Sequence, residues 1–224
     1  KYDTIIIGGG IAGLGAAIYC GRFELKTAVI AEKLGGTIIL TDEIANYPGF
    51  KSILGMELFD KVKEHALEHK IDIIEKKATK IEKCGGGCFK VSTDKKTYEA
   101  KSIIFATGTE WRKLNVPGEK EFTNKGVHYC GLCDGPIYKD KIIGVVGGSD
   151  SAAKEAILLS KYGKKVYIIY RKDKIRAEPI NLKKVEQDEK IEIINNTNVI
   201  EIRGDKFVNS VIFDKEHNGS KEFK

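Results

Sequence analysis

The sequence predicts an α/β fold with two Rossmann-like dinucleotide-binding domains in series, each accompanied by a β-meander. Three observations predict this class. An apolar strand runs into a glycine loop at residues 8–13, a second strand runs into glycines at 147–148, and short strands follow each unit. One architecture therefore occurs twice in the chain.

The first unit begins with a βαβ pattern. Residues 4–7 form a continuous apolar run that ends in glycines, which is typical of a buried parallel strand. A helix over 11–22 and a strand over 26–31 complete the pattern. Apolar side chains recur at roughly helical spacing over residues 55–70 and predict a second helix.

A meander is expected to follow, with strands at 78–83, 89–93 and 97–101. We expect a separate buried strand at 102–106, where the chain becomes apolar again before Thr107-Gly108.

Pro117 and Gly118 mark a linker, and we place the two domains at residues 1–114 and 115–224. The pattern then restarts after the linker. Its elements are a strand at 141–146, a helix at 150–162, a strand at 165–170 and a second meander near Asn198.

Charge and composition narrow the class of partner. The formal net charge is +6, but acidic residues are nearly as frequent as basic ones, which favours a solvated surface of mixed charge over a nucleic-acid partner. No segment approaches the ~20 apolar residues of a membrane helix. Five cysteines without framework spacing fit a reducing compartment, so we expect a cytoplasmic protein.

The first loop, with Gly8, Gly10 and Gly13, fits the pattern G-x-G-x-x-G between a strand and a helix. The three glycines permit a tight turn, close approach of a pyrophosphate and close helix–strand packing. Glu32 lies at the end of the next strand, where a carboxylate binds ribose hydroxyls. The alternative is a glycine-rich turn with a surface glutamate.

The second loop replaces the middle glycine of the pattern by Ser149, which places a side chain where a phosphate approaches. Just past the following strand lie Arg171, Lys172 and Arg176. Basic residues at this point suit the 2′-phosphate of NADPH, whereas an acidic residue suits NAD. The alternative is a solvated basic turn.

Cys130 and Cys133 are separated by two residues, a spacing suited to thiol–disulfide exchange. They lie between the two nucleotide-binding loops, which predicts a reductase. A zinc site would need a second close pair, for which Cys84 and Cys88 are the candidates. We expect those two to flank a hairpin turn as free thiols, with a cross-hairpin disulfide as the alternative.

Several segments, spread over nearly the whole chain, resemble the low-molecular-weight thioredoxin reductase family of FAD-dependent pyridine nucleotide–disulfide oxidoreductases. The matching segments are residues 7–14, 35–36, 46–50, 106–108, 116–119, 126–135 and 171–177. The resemblance implies an FAD domain interrupted by an inserted NADPH domain, usually in a homodimer.

The resemblance also implies the site residues. In such enzymes NADPH reduces FAD, the flavin reduces the Cys130–Cys133 disulfide, and the dithiol reduces thioredoxin or a glutaredoxin-like protein disulfide. Cys133 would lie nearer the flavin, Cys130 would be the more exposed exchange thiol, and Asp134 would be the proton-shuttling acid.

The expected FAD contacts are Gly8, Gly10, Ile11, Ala12, Gly13, Glu32, Gly35, Gly36, Thr37, Asn46, Ala106, Thr107 and Gly108. The expected NADPH contacts are Gly147, Gly148, Ser149, Asp150, Ser151, Arg171, Lys172 and Arg176. No metal is expected.

The chain departs from the family pattern at Ser149 and at Tyr170-Arg171-Lys172, which leaves the nicotinamide preference open. It also ends inside the second meander, so the C-terminal part of the family fold is expected to be absent. Two other functions stay open: an FAD-dependent dithiol oxidase and a noncatalytic nucleotide-binding fragment. The basic cluster argues against the first, and the intact Cys130, Cys133 and Asp134 set argues against the second.

Overall fold

The computed structural model describes all 224 residues. The chain divides into two compact units, residues 1–110 and residues 111–224. This division lies four residues ahead of the boundary expected after residue 114.

Unit 1 is built on a six-stranded sheet in the order β5-β2-β1-β8-β7-β6. Its strands are β1 (Tyr2–Gly9), β2 (Thr27–Leu34), β5 (Ile71–Glu75), β6 (Lys80–Cys84), β7 (Cys88–Ser92) and β8 (Thr97–Phe105). The first four in the sheet order run parallel, and β8-β7-β6 are antiparallel. A two-stranded ribbon of β3 (Glu43–Ile44) and β4 (Ile53–Leu54) and the helices α1 (Ile11–Arg22) and α2 (Gly55–Leu67) complete the unit.

The central strand β1 is buried on both faces, as its continuous apolar run predicts. Ile6 packs with Ala17 of α1 on one face, and Ile5 packs with Val91 of β7 on the other. Ile5 and Ile6 have no exposed surface. This burial fixes the level at which β1 ends, and with it the position of the glycine loop that follows.

The expectation of separate strands at 97–101 and 102–106 was wrong. Residues 97–105 form the single strand β8, because no turn residue interrupts the chain at Lys101-Ser102. Its first half pairs with β7 and its second half with β1. The end of the strand is also not buried, since the Phe105 side chain is 67% exposed.

Unit 2 contains two three-stranded sheets. The parallel sheet, in the order β11-β10-β9, consists of β9 (Ile142–Val146), β10 (Lys165–Ile169) and β11 (Ile191–Ile194). The antiparallel meander consists of β12 (Val199–Gly204), β13 (Val208–His217) and β14 (Ser220–Phe223). The helices are α3 (Gly131–Asp134), α4 (Asp150–Ser160) and α5 (Pro179–Gln187).

The core of the parallel sheet lies between β10 and its helices, where Val166 and Ile168 are fully buried with Ala156 of α4 and Val185 of α5. The sequence pattern did not indicate α5, because its exposed positions are mostly lysine, glutamate and glutamine and only Val185 is buried. None of the helices in either unit has the length and apolar content needed to cross a bilayer.

Candidate redox and nucleotide-binding sites

The glycine loop of unit 1 brings together three segments of the predicted nucleotide site. Gly8 has a φ of +115°, and a Cβ there would lie against the Ala106 carbonyl oxygen. A Cβ on Gly13 would lie against the Gly8 carbonyl oxygen. Gly35 donates its N–H to the Gly9 carbonyl over 2.9 Å. The loop therefore touches both the end of β8 and the turn after β2.

Gly10 fits the role of a phosphate cradle. A Cβ on Gly10 would meet only the Gly35 carbonyl oxygen, at 3.7 Å, so this face of the loop is open. The helix α1 starts directly after it with no side-chain cap and no acidic residue in its first turn. The first intrahelical bond is Leu14 N–H to the Gly10 carbonyl, so the N–H groups of residues 11–13 have no helical acceptor. Such a helix end binds an anion such as a diphosphate.

The other predicted residues of this site occupy different positions. Glu32 is exposed on β2, and its carboxylate lies 3.5 Å from the Lys77 amine. Thr37 precedes a short 3₁₀ helix at Ile38–Leu40. Thr107 and Gly108 are exposed directly after β8. Asn46 is exposed in the loop between β3 and β4.

The second loop is held against the segment that follows β10. A Cβ on Gly148 would collide with the Tyr170 ring, and Arg176 N–H donates to the Gly148 carbonyl over 2.6 Å. Ser149 and Arg176 form a β-bridge. The loop and the basic cluster that the sequence predicted are therefore neighbours.

Ser149 and Asp150 of this loop differ in their hydrogen bonding. Ser149 is exposed at the N-cap of α4, and its hydroxyl makes no capping bond. The Asp150 carboxylate accepts hydrogen bonds from Glu178 N–H and from the Asn181 amide, both over 2.9 Å. Asp150 therefore anchors the segment that carries Arg176. Ser151 is exposed on the first turn of α4.

The basic side chains predicted to bind the 2′-phosphate are all solvent-exposed. Arg171 and Lys172 directly follow Tyr170, and Arg176 ends the same turn. None of the three makes an ion pair within the protein. Three uncompensated positive charges beside a nucleotide loop can accept a phosphate dianion.

The redox pair lies at the start of the short helix α3. Cys130 is its N-cap residue, and the Cys130 and Cys133 Cα atoms are 5.4 Å apart with the two sulfurs joined in a disulfide. Cys133 N–H donates to Cys130 Sγ over 3.2 Å, and Asp134 N–H donates to the Cys130 carbonyl over 3.1 Å. An N–H aimed at sulfur stabilises that sulfur as a thiolate once the disulfide is reduced.

The two cysteine residues differ in exposure. Cys133 is exposed and Cys130 is half-buried, whereas Cys130 was expected to be the more exposed thiol. The N-cap position explains the difference, because it turns Cys130 Sγ toward the backbone of α3.

Glu155 of α4 anchors the start of α3, the short helix that carries Cys133. Its carboxylate accepts the Gly131 N–H over 3.0 Å, and a side chain at position 131 would collide with that carboxylate. Burial raises the pKa of Glu155 above its ordinary value, although the Gly131 hydrogen bond acts in the opposite direction. The sequence did not indicate this hydrogen bond, because Gly131 and Glu155 are 24 residues apart and Gly131 has no side chain that would reveal a partner.

Glu119 fixes the segment that leads into the redox pair. The side chain is buried and accepts hydrogen bonds from Leu114 N–H, Asn115 N–H and the Tyr129 hydroxyl at 2.9, 2.6 and 3.0 Å. Burial raises the pKa of Glu119, but the two backbone hydrogen bonds and the Tyr129 hydroxyl outweigh it and hold the pKa below its ordinary value. Glu119 therefore connects the start of unit 2 to the residue before Cys130.

Comparison with known proteins identifies the family. Residues 2–222 match the model of the pyridine nucleotide-disulphide oxidoreductases. Thioredoxin reductase of Listeria innocua is 45% identical, with 94% of this chain and 66% of the relative covered. That of Bacillus subtilis is 39% identical, with 100% of this chain and 71% of the relative covered. The chain belongs to the pyridine nucleotide-disulphide oxidoreductase family.

Solved structures agree with this assignment. A crystal structure of Lactococcus lactis thioredoxin reductase in the FR conformation is 40% identical and has a TM-score of 0.94, covering all of this chain and 74% of that one. The T. acidophilum enzyme is 36% identical with a TM-score of 0.90, covering 99% of this chain and 73% of that one. The predicted fold class is thereby confirmed. The chain spans about two thirds of the length of the curated relatives it matches.

One cysteine expectation for this family member was wrong. Cys84 and Cys88, expected as free thiols, are joined in a disulfide across the β6–β7 hairpin. They are opposite each other in the ladder, with Cα atoms 5.1 Å apart, so the hairpin itself brings the sulfurs together. No group of three or more histidine, cysteine or acidic side chains is arranged to hold a metal ion.

We expect Glu119→Gln to lower the free energy of unfolding of unit 2 by about 1.5–3 kcal/mol at pH 7, because an amide replaces a carboxylate that accepts three hydrogen bonds. Since the pKa of Glu119 is lowered by folding, its stabilisation is present above the pKa of the unfolded chain. It is lost as the pH falls through the lower folded-state pKa. Urea unfolding, followed by the fluorescence of the single tryptophan, Trp111, measures the difference in unfolding free energy between Glu119→Gln and the wild type at pH 7 and at low pH.

The matched control is Glu121→Gln, which changes an exposed carboxylate in the same loop and should leave stability within about 0.5 kcal/mol. A loss in Glu119→Gln that stays constant from pH 7 to low pH would show that packing, and not the charged acceptor, is responsible.

Proposed function

We propose that this chain has the function of an NADPH-dependent thioredoxin-disulfide reductase. The observation that carries the proposal is the Cys130–Cys133 disulfide at the N-terminus of α3, with Asp134 in the same turn. It occurs in a chain with two nucleotide-binding loops, and the relatives named above are thioredoxin reductases.

The residues of unit 1 fit the ADP half of FAD. The open face of Gly10, beside the uncapped start of α1, would bind the diphosphate. The Glu32 carboxylate would accept hydrogen bonds from the ribose hydroxyls in place of its contact with Lys77. FAD, when bound, supplies the two-electron relay between a nicotinamide and the disulfide.

The residues of unit 2 fit NADPH. Its diphosphate would lie at the loop of Gly147 and Gly148, and the 2′-phosphate would lie against Arg171, Lys172 and Arg176. Because the Arg176 backbone is bonded to Gly148, the loop and the backbone that carries the cationic side chain are fixed to each other before ligand arrives. This preorganisation reduces the entropic cost of binding.

The chain's own chemistry is thiol–disulfide exchange. Reduction breaks the Cys130–Cys133 bond and leaves one sulfur as a thiolate and the other as a thiol, with Asp134 as the proton donor. Although the Cys133 residue is the more exposed, we assign the attacking thiolate to Cys130, because the Cys133 N–H is aimed at the Cys130 sulfur. This thiolate attacks the protein disulfide of thioredoxin or a glutaredoxin-like protein. Cys133 then resolves the mixed disulfide and closes the original bond.

The setting follows from the same chemistry. A dithiol that must be kept reduced belongs in a reducing compartment, and we place the protein in the cytoplasm.

We also propose that the protein works as a homodimer, which light scattering of the purified protein tests. A monomer at micromolar concentration would exclude that part.

The replacement Cys133→Ser should abolish NADPH-dependent reduction of a protein disulfide, because the mixed disulfide loses its resolving thiol. Reduction of the flavin by NADPH, followed by loss of its visible absorbance without oxygen, should be unchanged. The control is Cys84→Ser combined with Cys88→Ser, which should retain full turnover. Turnover that survives Cys133→Ser would exclude this disulfide as the redox centre.

The double replacement of Arg171 and Arg176 by alanine should raise the Michaelis constant for NADPH about ten- to a hundredfold per lost contact, since each charge-assisted hydrogen bond contributes about 1.5–3 kcal/mol. The constant for NADH should change little, because NADH has no 2′-phosphate. The matched control removes Lys183 and Lys184, two exposed charges on α5. An equal effect on the two nucleotides would show that the cluster is only a solvated turn.

A further inference from the structure

The His128 side chain lies in space between those of Asp134 and Tyr138. In the sequence, His128 precedes Cys130 by two residues. Its Nε2 is 2.6 Å from the Tyr138 hydroxyl oxygen, and the two rings meet edge to face with centroids 5.2 Å apart. Its Nδ1 is 3.1 Å from Asp134 Oδ2. The imidazole therefore contacts the proposed acid with one nitrogen and a tyrosine with the other.

The Nδ1 atom is completely buried and makes no aligned hydrogen bond, although the Asp134 carboxylate is within ion-pair distance. A buried imidazole nitrogen without a partner is costly, so the site is complete only when it exchanges a hydrogen bond with Asp134. A rotation of the carboxylate would align the two atoms. The side chain of His128 is 16% exposed, which keeps water from substituting for the aspartate.

Tyr138 holds the ring in this position. It belongs to a short 3₁₀ helix, Gly135–Tyr138, that directly continues α3. Burial and the nearby Asp134 charge raise the pKa of Tyr138, so its hydroxyl stays protonated at neutral pH. Asp134 and Tyr138 are the titratable groups that the structure records against the imidazole, both from the helical turn beside it.

We propose that His128 and Asp134 act as one acid–base pair. In each catalytic cycle the pair donates a proton to one sulfur of the Cys130–Cys133 dithiol and later accepts it back. The proposal rests on the proposed reductase function. His128 does not touch the sulfurs and acts through Asp134, so it is a positioning and proton-sharing residue.

The protons balance as follows in the two halves of the cycle. When an electron pair breaks the disulfide, one sulfur stays a thiolate and the other takes, through the Asp134 carboxyl, the one proton that Asp134 and His128 Nδ1 share. This leaves a carboxylate beside a neutral imidazole. The thiolate then attacks the partner's disulfide and forms a mixed disulfide. The remaining thiol returns its proton to Asp134, where it is shared again with Nδ1, and the resulting thiolate breaks the mixed disulfide and closes the Cys130–Cys133 bond. The two partner sulfurs leave as thiolates that take their protons from solvent. Two electrons enter with the reductant and leave with the reduced partner, and the pair ends as it began.

The first test does not depend on catalysis. Nitrogen-15 NMR of histidine-labelled protein without FAD or NADPH reads the two nitrogens of His128 separately. Asp134→Asn should shift the Nδ1 resonance and its pH dependence, and Tyr138→Phe should shift the Nε2 resonance. An Nδ1 signal that is indifferent to Asp134→Asn overturns the proposal, even if the reductase activity is real.

The second test uses the FAD-loaded protein and the variant His128→Gln, whose amide keeps the size and hydrogen-bonding groups but cannot share a proton. Single-turnover reduction of the disulfide should fall at least about tenfold at pH 8 and recover as the pH is lowered. Flavin reduction by NADPH should not change. The control is His65→Gln, an exposed histidine of α2, which should match the wild type throughout.

A pH–rate profile of His128→Gln that runs parallel to the wild type would overturn the proposal, since a purely structural imidazole moves the rate but not its pH dependence. If the wild type itself shows no disulfide reduction, the proposed function fails, while the NMR result still decides whether His128 and Asp134 share a proton.

Discussion

The redox helix α3 depends on being held from outside, because four residues cannot form a stable helix alone. The structure fixes it at three points. Glu155 binds the Gly131 N–H, Asp134 faces His128, and Glu119 binds the Tyr129 hydroxyl just before Cys130. These contacts hold the N–H groups at the start of α3, the Asp134 carboxylate and the chain that leads into Cys130 in defined positions.

The two nucleotide loops reach similar geometry by different means. In unit 1, glycines at positions 8 and 13 allow backbone to pack directly on backbone, and the free face of Gly10 is left for a ligand. In unit 2, Ser149 occupies the equivalent of that free position, and the ring of Tyr170 covers Gly148. The exposed basic residues Arg171, Lys172 and Arg176 follow β10 beside the second loop.

The disulfide at Cys84 and Cys88 shows how local geometry decides cysteine chemistry. The three glycines between them turn the chain back on itself, two of them with positive φ, so the cysteines become cross-strand partners. Cys20, in contrast, is buried beside Ile6 and Val29 and has no second thiol within its packing cluster. Sequence spacing separates these cases only when the turn between the cysteines is known.

The sequence by itself determined the fold class, the two glycine loops, the redox pair and most strand and helix positions, because these depend on short-range periodicity and on residues with special backbone freedom. It could not determine that β8 runs unbroken between two neighbours of opposite direction, since strand pairing is a long-range property. Nor could it indicate the roles of Glu155, Glu119 and His128. Isolated acidic residues and a single histidine look like surface residues until tertiary packing removes water and places a backbone N–H, a hydroxyl or a carboxylate beside them.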